Sequence, residues 1–347
     1  MAARLDYPVA VPPVPGAALE LAPGVHWARL PVPGTLGHIN VWLLEDGDAW
    51  TLVDTGMDVP AARAAWDGPL AAYLGGRPLG RIICTHHHPD HAGLAAWLAE
   101  RHAAPVCMSA REYAILAAFD QPAAAAERLA GFARDGLLPA EVDVRILSGA
   151  GYRRLLSGVP RQVRTIADGE VLAIGAHRWR AFELAGHTDA QLVLHSDTAG
   201  LLIAGDQVLP RISSNIGIYP EREDPDPVAS FLASFERLEA LEPEPLVLPS
   251  HGEVFRGLRQ RLGSLRAHHL ATLERVMALV AGPLTARELS ESLFRSPLDP
   301  LNRMLAVGES LANLEHLARR GRLAVVEAPG EPRRYRPVAE ETPRDPV

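Results

Sequence analysis

Residues 85–93 read THHHPDHAG, with four histidines and an aspartate inside six positions. The run before it, LGRIIC at 79–84, reads as a strand. The run after it carries Leu94, Trp97, Leu98 and His102 at helical spacing. On an extended segment alternate side chains point the same way, so His86 and His88 converge while His87 points elsewhere. Pro89 suits a first helical position, which places Asp90 and His91 in the first helical turn, near the same point but offset. One stretch therefore supplies two sub-sites. Imidazole and carboxylate suit zinc or another first-row divalent ion, and two such ions in one site lie roughly 3.5–4 Å apart.

A full site needs more donors, and the chain offers them at further strand ends. AGHTDAQ gives His187, IAGDQV gives Asp206 and PSHGEV gives His251. Each follows an apolar run and stands beside a glycine, which lets the backbone come close to an ion. Upstream, VHWARLPV, HINVWLLED and AWTLVDTG read as successive strands, and Ala61 to Leu74 carries one helical pattern. The order is strands and helices, a partly helical insertion at 109–160, then strands and helices again. That order predicts a layered α/β domain over 25–256 behind a Pro-rich arm at 1–24. A connecting helix at 257–282 follows. Residues 283–347 have the element order of a winged helix: helices, then a strand, a turn and a strand.

Composition narrows the chemistry. All 34 basic residues are arginine, and the absence of lysine removes P-loop phosphate binding, pyridoxal Schiff bases and Ser-Lys hydrolysis. No G-x-S-x-G elbow is present for a serine nucleophile. The net charge of −8 argues against a general nucleic-acid binder, and the segment 283–347 balances 10 arginines against 10 acids. That segment suits packing on the catalytic domain, closure of a substrate pocket or a homodimer contact better than DNA. Cys84 and Cys107 sit in short apolar runs and read as buried thiols. No apolar run reaches membrane-span length, and the first residues lack a secretory h-region, so the expected partner is a small molecule and the expected location cytoplasmic.

With these blocks assembled, the chain resembles the metallo-β-lactamase-fold hydrolases. H-x-H-x-D-H is matched at His86, His88, Asp90 and His91, followed by His187, Asp206 and His251, and VDTG around Asp54 stands as the first block. The resemblance implies a four-layer αβ/βα sandwich of two mixed sheets with the site at one edge. It implies that His86, His88 and His187 hold one metal, that Asp90, His91 and His251 hold a second, and that Asp206 bridges them. Asp54 would hydrogen-bond the ligand loop. The implied cofactors are two divalent ions, zinc first, with iron or manganese tolerated by the same donors.

The implied reaction is hydrolysis of a small-molecule thioester, ester or lactone by a hydroxide held between the ions, with Asp90 orienting it and accepting its proton. Two other branches keep the same motif: metal-dependent endoribonucleases or phosphodiesterases, and mononuclear iron persulfide dioxygenases. Glyoxalase II differs by ending in a helical glutathione-binding region with basic anchors. In the loop LPRISSNIGIYPEREDP, which follows Asp206, the residues Arg211, Ser213, Asn215 and Tyr219 are candidate substrate contacts. Tyr113, Phe119, Phe132 and Tyr152 are candidate walls of a lid over the site, or packing within the insertion. His87 is expected to support its neighbours rather than bind a metal.

Overall fold

The apolar runs pair into two sheets. The structure, a computed structural model, describes residues 5–119, 121–137, 148–294 and 298–338, with backbone only at 122–124. Parts of the expected arm, insertion and C-terminal segment (1–4, 120, 138–147, 295–297 and 339–347) lie outside the described residues.

The first sheet contains β1 (Ala18–Ala22), β2 (Val25–Pro31), β3 (His38–Asp46), β4 (Ala49–Val53), β5 (Leu79–Ile83), β6 (Val106–Met108) and β7 (Val163–Thr165), in that order. The first four run antiparallel, and from β4 onward neighbours are parallel. Parallel neighbours need crossovers. Helices α1 (Pro60–Asp67) and α2 (Pro69–Tyr73) link β4 to β5, and α3 (Pro89–Ala92) and α4 (Ala95–His102) link β5 to β6. Between β6 and β7 come α5 (Ala110–Ala118), α6 (Pro122–Arg134) and α7 (Ala150–Arg153).

The second sheet has the order β12-β11-β10-β9-β8. Its strands are β8 (Val171–Ile174), β9 (His177–Leu184), β10 (Gln191–Ser196), β11 (Leu201–Gly205) and β12 (Leu246–Pro249). Helix α8 (Pro227–Glu239) carries the parallel crossover from β11 to β12.

Period-two alternation sorts the sheet residues into layers. On β3, Trp42 and Leu44 face the second sheet, where they meet Trp179, Leu192 and Leu194. Val41 and Leu43 face outward under Trp66, Leu70, Leu94 and Leu98. On the far side, Val193, Leu202 and Val247 lie under Phe231 and Phe235 of α8. The architecture is helix, sheet, sheet, helix, a four-layer αβ/βα sandwich. Each fully buried large side chain in these layers stabilises it by ~1.5–3 kcal/mol.

The helix expected over 61–74 is two helices. Gly68 leaves helical geometry at φ −115° and ψ −100°, and Pro69, which has no N–H to continue the ladder, starts the second.

Beyond β12, α9 (Leu258–Leu279), α10 (Ala286–Leu293) and α11 (Pro300–Arg319) lead to the antiparallel pair β13 (Leu323–Val326) and β14 (Arg334–Pro337). Thr285 and Glu288 form a capping box on α10, and Asp299 caps α11 ahead of Pro300. Leu311, Leu314, Leu317 and Tyr335 share one apolar core with the second sheet, so this C-terminal segment is packed onto the sandwich. No described helix is long and apolar enough to cross a membrane. At one edge the sheets are joined by main-chain bonds, Asn40 N to Ser250 O at 2.7 Å and Leu192 N to Thr85 O at 2.8 Å. The histidine stretch lies at this edge.

Candidate metal centre

Strand ends from both sheets converge here. β5 runs into Thr85–His88, and α3 starts at Pro89 and carries Asp90 and His91. From the second sheet, His187 follows β9, Asp206 follows β11 and His251 follows β12. Gly186 lets the first of these loops approach α8. Its φ is +122°, and a Cβ there would lie 2.4 Å from the Phe231 Cβ.

The inward atoms form two groups. In one, His86 Nε2 lies 2.9 Å from His88 Nδ1, which lies 3.1 Å from His187 Nε2, and His187 Nε2 lies 3.3 Å from Asp206 Oδ2. In the other, His251 Nε2 lies 3.2 Å and His91 Nε2 3.7 Å from Asp90 Oδ2. The remaining Asp206 oxygen, Oδ1, faces this second group, 3.6 Å from both His91 Nε2 and His251 Nε2. One carboxylate thus serves both groups, one oxygen to each.

The outward ring nitrogens are tied down. His91 Nδ1 donates to Asp54 Oδ2 at 2.8 Å, His187 Nδ1 to the Asn215 carbonyl at 2.9 Å and His251 Nδ1 to the His38 carbonyl at 2.8 Å. Each bond turns the Nε2 atom inward. Asp54 also accepts from the Thr85 N–H at 2.8 Å, and it sits at φ 62°, a left-handed conformation that aspartate tolerates better than most residues. It therefore holds the histidine stretch at both Thr85 and His91.

The donor set fits divalent cations. Burial, reinforced by the surrounding imidazoles, holds His86 and His88 well below the ordinary histidine value, so both are neutral donors. Burial works against charge on Asp206, yet His91, His251 and His187 hold its carboxyl well below the usual range. For His91 the balance runs the other way: burial lowers its value, but Asp54, Asp206 and Asp90 outweigh this and raise it well above ordinary. The cluster therefore favours positive charge at its centre. His91 Nε2 and Asp206 Oδ1 are buried without a hydrogen-bond partner among the described residues. Donors bound at ~2.0–2.1 Å in a tetrahedron are separated by ~3.3–3.4 Å, close to the spacing of the first group.

His87 points away, as its place in the extended segment predicts. Its Nδ1 is 2.5 Å from Glu112 Oε2, and its main-chain N–H donates to the same oxygen at 3.1 Å. Glu112 Oε1 accepts from the Ala190 N–H at 2.9 Å, so this fully buried carboxylate joins the loop of His86–His91 to the loop of His187. Tyr152 donates to the His87 carbonyl and stacks on Phe119 at 4.0 Å between centroids.

Sequence reasoning missed Glu112. Its segment AREYAILAAF is an ordinary alanine-rich helix, and its partners lie 25 and 78 residues away. It also missed Arg222, which donates to the Gly186, His187 and Gly217 carbonyls and pairs with Asp189 at 2.9 Å. Asn40 was missed too, though a buried amide inside the strand HINVWLLED is a readable signal. It donates to the Pro249 and Gly252 carbonyls on either side of His251.

The four candidate substrate contacts are not gathered at the metal-facing atoms. Arg211 is exposed, pairs with Glu253 at 3.2 Å and lies over Tyr7. Ser213 bonds His269 of α9 at 2.9 Å. Asn215 supports His187 through its carbonyl, while its side chain and Tyr219 bond each other at 2.5 Å beside α11. Of the proposed aromatic walls, Phe119 and Phe132 are buried, and Tyr113 donates to the Pro160 carbonyl at 3.1 Å.

Comparison with known proteins agrees with this geometry. A family model described as the metallo-beta-lactamase superfamily matches residues 34–251, and one described as the metallo-beta-lactamase-like C-terminal domain matches 273–338. A solved beta-lactamase domain protein from Burkholderia ambifaria is 38% identical, with a TM-score of 0.85 over 96% of this chain and 98% of that one. A metallo-beta-lactamase family protein from Thermus thermophilus is 32% identical, with a TM-score of 0.81 over 92% and 100%. Among curated relatives, the probable metallo-hydrolase YqjP of Bacillus subtilis is 26% identical over 83% of this chain and 90% of its own length. The acyl-coenzyme A thioesterase MBLAC2 of Gallus gallus is 25% identical over 73% and 83%.

Proposed function

The chain belongs to the metallo-beta-lactamase superfamily and is a metal-dependent hydrolase, and from that premise we propose that it works with two ions on a small-molecule carboxyl derivative: a thioester, ester or lactone. One observation carries the two-ion reading: Asp206 presents Oδ2 to the group of His86, His88 and His187 and Oδ1 to the group of Asp90, His91 and His251. The first ion would be held by His86, His88, His187 and Asp206, the second by Asp90, His91, His251 and Asp206. Zinc suits this set best, and iron or manganese would also be accepted. When bound, such ions polarise an acyl oxygen and make water a nucleophile near neutral pH.

The chain's own residues do the rest. Asp90 turns Oδ2 toward His251 and His91, which leaves Oδ1 to orient the attacking water and take its proton. Asp54 and the Asn215 and His38 carbonyls accept from the outward Nδ1 atoms, so the inward Nε2 atoms of His91, His187 and His251 are the ones turned toward an ion. Glu112 and Arg222 hold the loops in register around that arrangement.

Support for the thioester class comes from the relative named as an acyl-coenzyme A thioesterase. The test is a panel of acyl thioesters, esters, lactones, phosphodiesters and a persulfide, given to protein reconstituted separately with zinc, manganese and iron. We expect chelator-sensitive hydrolysis of one acyl class at two metals per chain. Cleavage confined to phosphodiesters, or oxygen uptake with the persulfide at one iron per chain, would refute the reading.

A further inference from the structure

The C-terminal segment reaches the metal centre through Asn215. This residue accepts the His187 Nδ1 proton on its main-chain oxygen, and both ends of its side chain are engaged. Its Nδ2 donates to Glu309 Oε2 at 3.2 Å and to the Leu305 carbonyl at 3.4 Å, both on α11, and its Oδ1 accepts from the Tyr219 hydroxyl at 2.5 Å. The same stretch of loop is pinned again where the Ile218 N–H donates to the Gly308 carbonyl at 3.0 Å. Gly308 permits this approach: a Cβ there would lie 2.4 Å from the Tyr219 ring. Glu309 and Leu305 are one helical turn apart, so α11 presents two acceptors on one face to one amide group. A loop fixed at Asn215 can place its carbonyl only where α11 puts it, and that carbonyl sets the plane and tautomer of His187.

We propose that Glu309 is a positioning residue for the metal centre, acting from the C-terminal segment through Asn215 on His187. The segment is then part of the metal site, whatever else it contacts. This rests on the metal-centre reading above, but not on the substrate class. It makes a directional claim: loss of Glu309 weakens the ion held with His187 and spares the ion held by Asp90, His91 and His251.

The experiment is a zinc titration of the full metal-depleted chain against a chromophoric chelator, with the cobalt absorption spectrum recorded for each variant and thermal stability measured alongside. Partners of this kind change metal affinity by ~10–100-fold when lost, and Glu309 stands one bond further out, so Glu309→Ala is expected to weaken one binding step by about tenfold. Glu309→Gln keeps an oxygen that accepts from Asn215 Nδ2 and should stay within about threefold of the parent. Tyr219→Phe removes the other bond to the same amide and should weaken the same step. The cobalt spectrum should shift in Glu309→Ala and not in Glu309→Gln.

Unchanged binding steps in folded Glu309→Ala, equal weakening of both steps, or a Gln variant as impaired as the Ala variant would each overturn the proposal. Should Glu309→Ala fail to fold, Tyr219→Phe and Glu309→Gln decide alone: the first must weaken one step and the second must not. A parent chain that binds no metal defeats the metal-centre reading itself, whereas an indifferent Glu309 variant of a two-metal parent defeats only this inference.

Discussion

Glu112→Gln is the sharpest perturbation of the site, because it keeps shape and removes one acceptor. The native carboxylate is fully buried and accepts from the His87 ring, the His87 N–H and the Ala190 N–H. A glutamine oxygen turned toward His87 leaves its NH2 group facing the Ala190 N–H, donor against donor. An orphaned buried donor costs ~1–3 kcal/mol, and the charge assistance of the His87 bond is lost as well.

The titration of Glu112 gives a second measure. Burial raises its carboxyl, but His87 and the surrounding hydrogen bonds outweigh this and bring it from 4.5 down to about 2. That depression corresponds to about 3 kcal/mol in favour of the folded state. The expected result at pH 7 is a loss of about 3 kcal/mol in urea unfolding of the metal-free protein, a Tm lower by roughly 4 °C, and weakened metal binding. Because the folded pKa is depressed, the stabilisation is complete above 4.5 and drains away as pH falls toward about 2. The gap between parent and variant should therefore narrow in acid. A variant within about 0.5 kcal/mol of the parent at pH 7, or a gap that widens on acidification, would refute the reasoning.

Four further outcomes follow from the same geometry. Asp206→Ala removes the carboxylate shared by both groups, and metal analysis should find at most one ion per chain, with hydrolysis reduced by about 10³-fold or more. Asp54→Ala frees the His91 ring and should weaken one metal-binding step by ~10–100-fold in a chelator competition. Asn40→Ala removes the acceptor of the buried Trp27 indole N–H and a donor to the Pro249 carbonyl, while the Gly252 carbonyl keeps its bond from Arg29, and should lower unfolding free energy by about 1–3 kcal/mol in urea. Arg211→Ala removes an exposed pair with Glu253 and should leave stability within about 0.5 kcal/mol and KM within about twofold.

The inward donors were legible because their chemistry and their place coincide. His86, His88, Asp90 and His91 declare themselves by residue type, and the switch from strand to helix at Pro89 sorts them into two groups. The sheets were legible from alternation, as Val41 to Leu44 illustrate. What supports the donors was largely hidden, for a physical reason. A carboxylate such as Glu112 or Glu309 takes its role from the groups it meets, and these lie far away along the chain. The loop after Asp206 shows the limit of pattern reading in irregular backbone. Its position beside the site was foreseeable, but no periodicity says that Asn215 and Gly217 turn their carbonyls toward His187 and Arg222 while Arg211 turns outward.

The origin of the donors links this site to the sandwich itself. In each group two donors come from the segment that follows β5 of the first sheet, His86 with His88 from its loop or Asp90 with His91 from α3. The rest come from the second sheet, His187 with Asp206 or His251 with Asp206. Neither sheet alone can complete a group. The two main-chain bonds at Asn40 and Leu192 close the same edge, and Glu112 and Asn40 each reach across it, one from α5 to Ala190 and the other from β3 to Pro249 and Gly252. An ion bound by such a set would stabilise the closed edge by the difference in its binding free energy between the closed edge and an opened one, which offers only half the donors. Of the buried carboxylates here, Asp54 is met by Thr85 and His91, whereas Asp90 and Asp206 face imidazoles of both sheets, so a cation bound among them would offset their desolvation and hold the sheets together at once.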